Sequence, residues 1–173
     1  MATVYLGIGS NVRPDENLRL AIRELQRLFG QIRLSPVYRS PPLGFEGDDF
    51  LNAVVSLDTD LPPGDVLRVI EAIHMRAGRQ RDSRKLVSRT LDIDLLLYDD
   101  LVVDGPGLKL PRSDVLRYSF VLRPLAELSP AGVHPVTGRT FAEHWRRLQA
   151  GEGEEGTQEH PLTETSVDLL ERE

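Results

Sequence analysis

The order in which two hydrophobic periods follow one another is the feature that most constrains the fold of this sequence. Apolar side chains recur at every second residue in some segments, as in strands, and at every third or fourth residue in others, as in helices. The predicted strands are residues 3–9, 32–38, 50–57 and 90–98, and the predicted helices are residues 15–29, 62–78, 120–128 and 141–148. A hairpin from residues 99–100 to 101–103 is expected after the fourth strand. The order β-α-β-β-α-β predicts an α+β, ferredoxin-like sheet with two helices on one face and additional short C-terminal helices.

Charge divides the chain into two parts. The formal net charge is −6, but residues 151–173 alone contain eight Asp/Glu and one Arg, so residues 1–150 are nearly neutral. The acidic segment has few apolar side chains with which to order itself. We therefore expect one folded domain at residues 1–150 and a flexible, acidic extension at residues 151–173, of which residues 167–170 could dock weakly.

Several protein classes are excluded by what the sequence lacks. It contains no cysteine, which excludes a disulfide framework, thiolate metal ligands and a cysteine nucleophile. No apolar run approaches the ~20 residues that cross a bilayer, and the N-terminus has neither the basic flank nor the cleavage site of a signal peptide. We expect a cytoplasmic protein with no membrane partner.

Two aspartates stand on one face of the last predicted strand. Because side chains alternate along a strand, Asp92 and Asp94 point to one side while Leu91, Ile93 and Leu95 point into the core. Carboxylates about 5 Å apart at an effective dielectric near 20 repel each other by roughly 3 kcal/mol. A divalent ion such as Mg²⁺, which prefers oxygen ligands, would remove that repulsion. The alternative is an exposed strand face whose aspartates pair with arginines or stay solvated.

A basic segment precedes this strand. Residues 76–89 contain six Lys/Arg and one acidic residue, Asp82. On its own the segment is more simply explained as a solvated loop. Beside a divalent metal, however, clustered arginines favour phosphoryl transfer, in which catalysis consists mainly of positioning and charge neutralisation.

A glycine-containing segment, Gly7-Ile8-Gly9-Ser10-Asn11, lies at the end of the first predicted strand. The chain has no Walker A loop, and this segment only weakly indicates phosphate binding. Gly9 and Asn11 are expected to form a turn.

Two neighbouring segments contain residues that could together bind a flat heterocyclic ring. Ser40–Phe45 is a rigid, proline-containing loop with an aromatic residue, and Phe50–Ala53 supplies an amide. An amide pairs with the donor and acceptor edge of a heterocycle, and aromatic rings pack on its faces. Structural roles explain each of these residues equally well in isolation. The four histidines show no metal-ligand spacing, and no chemistry is assigned to them.

Six motifs in order and spacing carry a family resemblance over about residues 3–148. They are Gly9–Asn11, Ser40–Gly44, Phe50–Val54, Gly78–Arg81, Arg89–Asp94 and Phe120–Leu125. Together they resemble the 6-hydroxymethyl-7,8-dihydropterin pyrophosphokinases of folate biosynthesis. The resemblance implies a ferredoxin-like α+β fold, two Mg²⁺ ions, and transfer of pyrophosphate from ATP to the pterin hydroxymethyl group with release of AMP.

The resemblance also implies roles for individual residues. The implied metal ligands are Asp92 and Asp94, the implied catalytic residues are Arg79 and Arg89, and the implied nucleotide-binding residues are Arg79, Arg81, Arg89 and Arg112. The implied pterin-binding residues are Pro41, Pro42, Leu43, Gly44, Phe50, Asn52 and Phe120. The loop at residues 79–88 would close over ATP and exclude water.

Several positions differ from the usual family pattern, mainly on the nucleotide side. They are His74, Leu86, Val87, Ser88, Arg112, Ser113 and Tyr118. The alternative function is therefore a paralogue that binds pterin or nucleotide with altered or lost activity. An RNA-binding module is disfavoured, because such modules display aromatic side chains on exposed strands, whereas two aspartates would repel a phosphate backbone. We expect the partners to be ATP and the pterin, without nucleic acid, and the chain to be a monomer.

Overall fold

The computed structural model describes residues 1–42, 44, 46–78, 91–153, 161–167 and 169. The strands are β1 (Ala2–Ser10), β2 (Ile32–Leu34), β3 (Val37–Ser40), β4 (Phe50–Thr59), β5 (Asp92–Tyr98), β6 (Val103–Gly105), β7 (Leu108–Leu110) and β8 (Thr163–Thr165). The helices are α1 (Pro14–Phe29), α2 (Pro63–Arg76), α3 (Asp114–Arg117), α4 (Ser119–Leu128) and α5 (Phe141–Gln149). None of the helices in these ranges combines the length and apolarity needed to cross a bilayer.

The main sheet is antiparallel and has the strand order β5-β1-β4-β3-β8, with β2 also paired to β4. Strand β1 therefore lies between β4 and β5. Its register pairs Gly9 with Asn52 on one side and with Asp92 on the other. The last residues of β1 thus lie between the first residues of β4 and β5, and this end of the sheet holds the candidate site.

Helices cover both faces of the sheet. Leu18, Ile22 and Leu25 of α1 and Ile70 of α2 are buried in a core with the inward side chains of β1, β4 and β5. Fully burying each such side chain stabilises the fold by about 1.5–3 kcal/mol. Helices α3, α4 and α5 pack on the opposite face, around Val54 and other apolar residues. The α+β, ferredoxin-like arrangement with two helices on one face is confirmed, and the short C-terminal helices cover the other.

Two predictions about strands are wrong. Residues 32–38 form two strands rather than one, because Pro36 has no N–H to donate to a ladder. The hairpin lies later than residues 99–103: β6 pairs with β7, and the turn between them contains Gly107 at φ +80°. That left-handed conformation favours glycine, whereas the turn at residues 99–100 leads the chain out of the main sheet.

The acidic C-terminal segment contributes a strand and core side chains. Strand β8 pairs with β3 through Val37 and Thr165. Leu169 is only 2% exposed, and Val167 packs against the same core. These residues of the segment therefore pack on the folded domain, because the open edge of β3 supplies backbone partners that composition does not reveal.

Candidate active site

A cavity of about 300 Å³ opens where β1, β4 and β5 meet the segment leading into α4. Its volume lies at the lower end of the range for small-molecule sites. Among the sequence-predicted site residues, those that line it are Pro41, Phe50, Asn52, Asp92, Asp94 and Phe120. The fold thus brings together residues that are as much as 79 positions apart in the chain.

The floor of the cavity is bare backbone from two glycines of β1. Gly7, Ile8 and Gly9 all line the cavity, and the side chain of Ile8 is buried in the core. A Cβ atom at Gly9 would lie 2.7 Å from Oδ1 of Asn52, which is closer than a carbon atom approaches an oxygen to which it is not bonded. Gly9 lies within β1, so the prediction of a turn at this residue is wrong. Glycine is needed there for space across the sheet rather than for chain reversal.

Asn52 is held in one orientation by its neighbour on β3. Its Nδ2 donates a 2.7 Å hydrogen bond to Oγ of Ser40, a buried residue. Ser40 lines the same cavity. The amide is therefore pre-oriented on the floor, and Ser40 acts as a positioning residue that sequence reasoning did not single out.

Three aspartates line the other side of the cavity, and one guanidinium contacts two of them. Asp92, Asp94 and Asp114 line the cavity. Nε of Arg112 donates a 3.1 Å hydrogen bond to Oδ2 of Asp114, and its Nη2 lies 3.5 Å from Oδ1 of Asp94. Partial burial acts to lower the pKa of Arg112, but the charges of Asp94 and Asp114 outweigh it and raise the pKa above its usual value. The guanidinium is therefore a permanent cation at this site.

The backbone between the two aspartates is held by a buried histidine. The N–H of Ile93 donates a 2.9 Å hydrogen bond to Nε2 of His74, which is 4% exposed. Since β5 is an edge strand of the main sheet, this N–H needs a partner outside the ladder. His74 thus positions the strand that carries the carboxylates. Its place on the buried face of α2, beside Ile73 and one turn after Ile70, is the sequence signal that could have found it.

An aromatic pair forms one wall of the cavity. The rings of Tyr118 and Phe120 stack with centroids 5.0 Å apart and planes 15° from parallel. Both residues line the cavity, as does Phe50 from β4. Such a wall suits the face of a flat ring. Tyr118 appeared in the sequence only as a departure from a pattern, and the structure adds it to the site.

Other sequence-predicted residues lie elsewhere. Pro42, Gly44 and Arg112 are described but are not among the described residues that line the cavity, although Arg112 contacts two residues that are, Asp94 and Asp114. Leu43, Arg79, Arg81 and Arg89 lie outside the described residues.

The fold and the cavity define a ferredoxin-like α+β protein whose site joins a carboxylate pair to a slot for a flat ring. The family model for 7,8-dihydro-6-hydroxymethylpterin-pyrophosphokinase matches residues 5–130. The chain belongs to this family, which confirms the resemblance carried by the six motifs.

Curated relatives agree with this assignment. The chain is 41% identical over 131 residues to the 2-amino-4-hydroxy-6-hydroxymethyldihydropteridine pyrophosphokinase of Pseudomonas aeruginosa, covering 73% of this chain and 80% of the relative. It is 37% identical over 145 residues to the protein of the same name from Aquifex aeolicus, covering 83% of this chain and 90% of the relative.

Solved structures show the same fold. The wild-type HPPK-DHPS of Plasmodium falciparum with SDX-DHP matches with a TM-score of 0.66 at 15% identity, over 87% of this chain and 44% of that one. The wild-type protein with pteroate matches with a TM-score of 0.68 at 14% identity, over 86% and 42%. This chain therefore spans less than half the length of these solved chains, and at such low identity the likeness concerns the fold alone.

Proposed function

We propose that this chain transfers the pyrophosphate group of ATP to the hydroxymethyl oxygen of 6-hydroxymethyl-7,8-dihydropterin. The hydroxyl oxygen bonds to the β-phosphorus, the bond from the β-phosphorus to the α,β-bridging oxygen breaks, AMP leaves and the hydroxyl proton is released. The observation that carries the proposal is a single cavity with Asn52 on one side of a glycine floor and Asp92 and Asp94 on the other. The amide that is proposed to recognise the ring and the carboxylates that are proposed to lie near the phosphates therefore face the same cavity.

The acidic pair suits Mg²⁺, and we propose that Asp92 and Asp94 hold two such ions. Their donors are all oxygen, and they already attract a cation, since a guanidinium nitrogen lies 3.5 Å from Asp94. The described residues contain no cluster of three or more metal-binding side chains. That donor set suits an ion that keeps several waters and takes its remaining ligands from substrate phosphates. When bound, Mg²⁺ would neutralise negative charge on the phosphate oxygens.

Arginines complete the proposed nucleotide side. Arg112 supports this assignment, because its permanent positive charge lies beside the carboxylates and a guanidinium matches phosphate oxygens with two parallel hydrogen bonds. Contacts from Arg79, Arg81 and Arg89 to the triphosphate are proposed from the sequence motifs. Their contribution is charge neutralisation as the pyrophosphate moves.

The pterin is proposed to lie on the glycine floor. The amide of Asn52 matches the donor and acceptor edge of the ring, and the phenyl rings of Phe50 and Phe120 flank its faces. Pro41 adds a rigid wall, and the neighbouring loop residues Pro42, Leu43 and Gly44 are proposed to contribute through the family motif.

We also propose that the chain works as a monomer in the cytoplasm. ATP, the proposed co-substrate, is a cytoplasmic metabolite.

The decisive test is product identity. Incubation with ATP, Mg²⁺ and the reduced pterin is expected to release AMP and the pterin diphosphate, with a reaction lacking pterin as the control. ADP as the nucleotide product would contradict pyrophosphate transfer. Binding of both substrates without turnover would instead favour the paralogue with lost activity.

Asn52→Ala is expected to weaken pterin binding by about 1–3 kcal/mol, because a buried ring edge would lose its hydrogen-bond partner. Calorimetry with the pterin checks this, and binding of an ATP analogue serves as the control that should not change. If ATP-analogue binding were lost and pterin binding retained, the pocket would be wrongly placed.

Gly9→Ala is expected to weaken pterin binding about tenfold or more, a change near 1.4 kcal/mol, because the new methyl must displace the Asn52 amide from the orientation that it holds with Ser40. Gly7→Ala is the matched comparison, since the three atoms nearest to its Cβ all belong to Leu96, at 3.5 Å or more, which is an ordinary contact distance. The same calorimetric titration checks both variants. Equal losses in the two would mean that filling the floor, rather than displacing Asn52, causes the effect.

A further inference from the structure

Arg112 joins two carboxylates that come from different elements. Asp94 belongs to β5, and Asp114 begins α3. The guanidinium lies between them, 3.5 Å from Asp94 and 3.1 Å from Asp114. The backbone is fixed as well, because the N–H of Arg112 donates a 2.9 Å hydrogen bond to the carbonyl oxygen of Leu96 on β5. This main-chain hydrogen bond therefore holds Arg112 beside the acidic pair.

The two contacts of the guanidinium are unequal. The contact with Asp114 is a directed hydrogen bond from Nε, whereas the contact with Asp94 is a longer ion pair from Nη2. The side chains of Arg112, Asp94 and Asp114 are 43%, 29% and 25% exposed. Solvent and salt screen partly buried charges less than surface charges. Of the two contacts, the one with Asp94 is the weaker.

The atom that Arg112 faces, Oδ1 of Asp94, belongs to a proposed metal ligand. A divalent cation at Asp94 would approach the same carboxylate and meet the fixed charge of the guanidinium. Retention by Asp114 would allow Arg112 to leave Asp94 without leaving the site.

From this geometry we infer that Arg112 is a resident counter-ion of Asp94 that competes with the divalent cation and thereby sets the metal affinity of the acidic pair. The inference rests on the proposed metal site at Asp92 and Asp94. In the metal-free protein, Arg112 offsets the repulsion between the carboxylates. When a cation binds, Arg112 gives up Asp94 and remains on Asp114, where its other donors are available to phosphate oxygens.

The test is Mn²⁺ binding without nucleotide, measured by electron paramagnetic resonance of free Mn²⁺, since Mn²⁺ also prefers oxygen ligands. Arg112→Gln is expected to bind Mn²⁺ about tenfold more tightly than the parent protein. Its metal-free Tm is expected to be lower, and its rise in Tm on adding Mn²⁺ larger. Arg68→Gln is the matched control, because it removes an equal charge from an exposed 3.0 Å ion pair with Asp65 on α2, and its Mn²⁺ affinity should not change.

A second variant separates the effect of the positive charge from the effect of contacting two carboxylates at the same time. Arg112→Lys keeps the positive charge but lacks the planar fork that reaches two carboxylates together, so its Mn²⁺ affinity is expected to lie between those of the parent and Arg112→Gln. Circular dichroism of each variant confirms that it is folded. If Arg112→Gln does not fold, Arg112→Lys alone decides the inference.

The outcomes distinguish this inference from the metal site on which it rests. Parent binding that disappears in Asp92→Asn, with no tightening in either folded Arg112 variant, would overturn the counter-ion role alone. No Mn²⁺ binding by the parent protein, even with a non-hydrolysable ATP analogue, would overturn the metal site and the inference together.

Discussion

Asp94→Asn is expected to lower kcat by about two to three orders of magnitude without unfolding the protein. The amide keeps the shape of the carboxylate but loses the charge that would hold a divalent ion against the ATP phosphates, an electrostatic contribution of this general size. Stability should be kept, because the change removes one of two like charges on a half-buried strand face. Asp92→Asn is expected to behave in the same way.

Release of AMP gives the rate for each variant, and thermal unfolding gives its stability. Asp104→Asn is the matched control, since Asp104 is an exposed aspartate on β6 that is not among the described residues lining the cavity. Near-normal turnover in both Asp92→Asn and Asp94→Asn would rule out the metal assignment. Loss of activity only together with loss of folded structure would assign the pair a structural role instead.

Truncation of the chain at Ala150 is expected to lower the free energy of unfolding by about 2–5 kcal/mol, the range found when a buried leucine is cut back to alanine. The truncated chain loses β8 from the edge of β3 and Leu169 from the core. This outcome is the opposite of the one expected from the charge and low hydrophobicity of residues 151–173.

Urea unfolding of the truncated chain and of Leu169→Ala checks this expectation. Ser166→Ala is the control, because Ser166 is exposed and lies between β8 and Leu169. Most of the loss should be reproduced by Leu169→Ala, since the buried side chain carries the apolar contact. Unchanged unfolding midpoints in both altered chains would mean that the segment does not stabilise the fold and is a flexible extension, as its composition predicts.

Local patterns predicted the parts of the fold whose side chains face a core. The spacing of Leu18, Ala21, Ile22 and Leu25 marks one face of α1, and all four are buried. Pairings between distant segments were not predictable in this way. Strand β8 forms because β3 has an open edge, and the exposed residues Thr163 and Glu164 carry no apolar signal for it.

The same distinction holds for the candidate site: local periodicity was predictable from the sequence, and contacts between distant segments were not. The two-residue alternation placed Asp92 and Asp94 on one face correctly, because that periodicity is a property of the strand itself. The roles of Ser40 and His74 depend on which strand or helix lies beside them. Ser40 begins a family motif and His74 lies on the buried face of α2, but neither pattern identifies the hydrogen-bond partner. The glycines of β1 did carry a signal: at strand period, Gly7 and Gly9 leave one face without side chains.

The glycine floor also bears on how this protein could escape an inhibitor. A compound lying on Gly7 and Gly9 contacts backbone, which no substitution elsewhere in the chain removes. A larger side chain at Gly9 would exclude the compound, but it would also strike Asn52, whose Oδ1 lies 2.7 Å from the position of the new Cβ. Resistance at this position would therefore also disturb the amide that is proposed to recognise the pterin, so a substitution that excludes the compound is expected to weaken substrate binding as well.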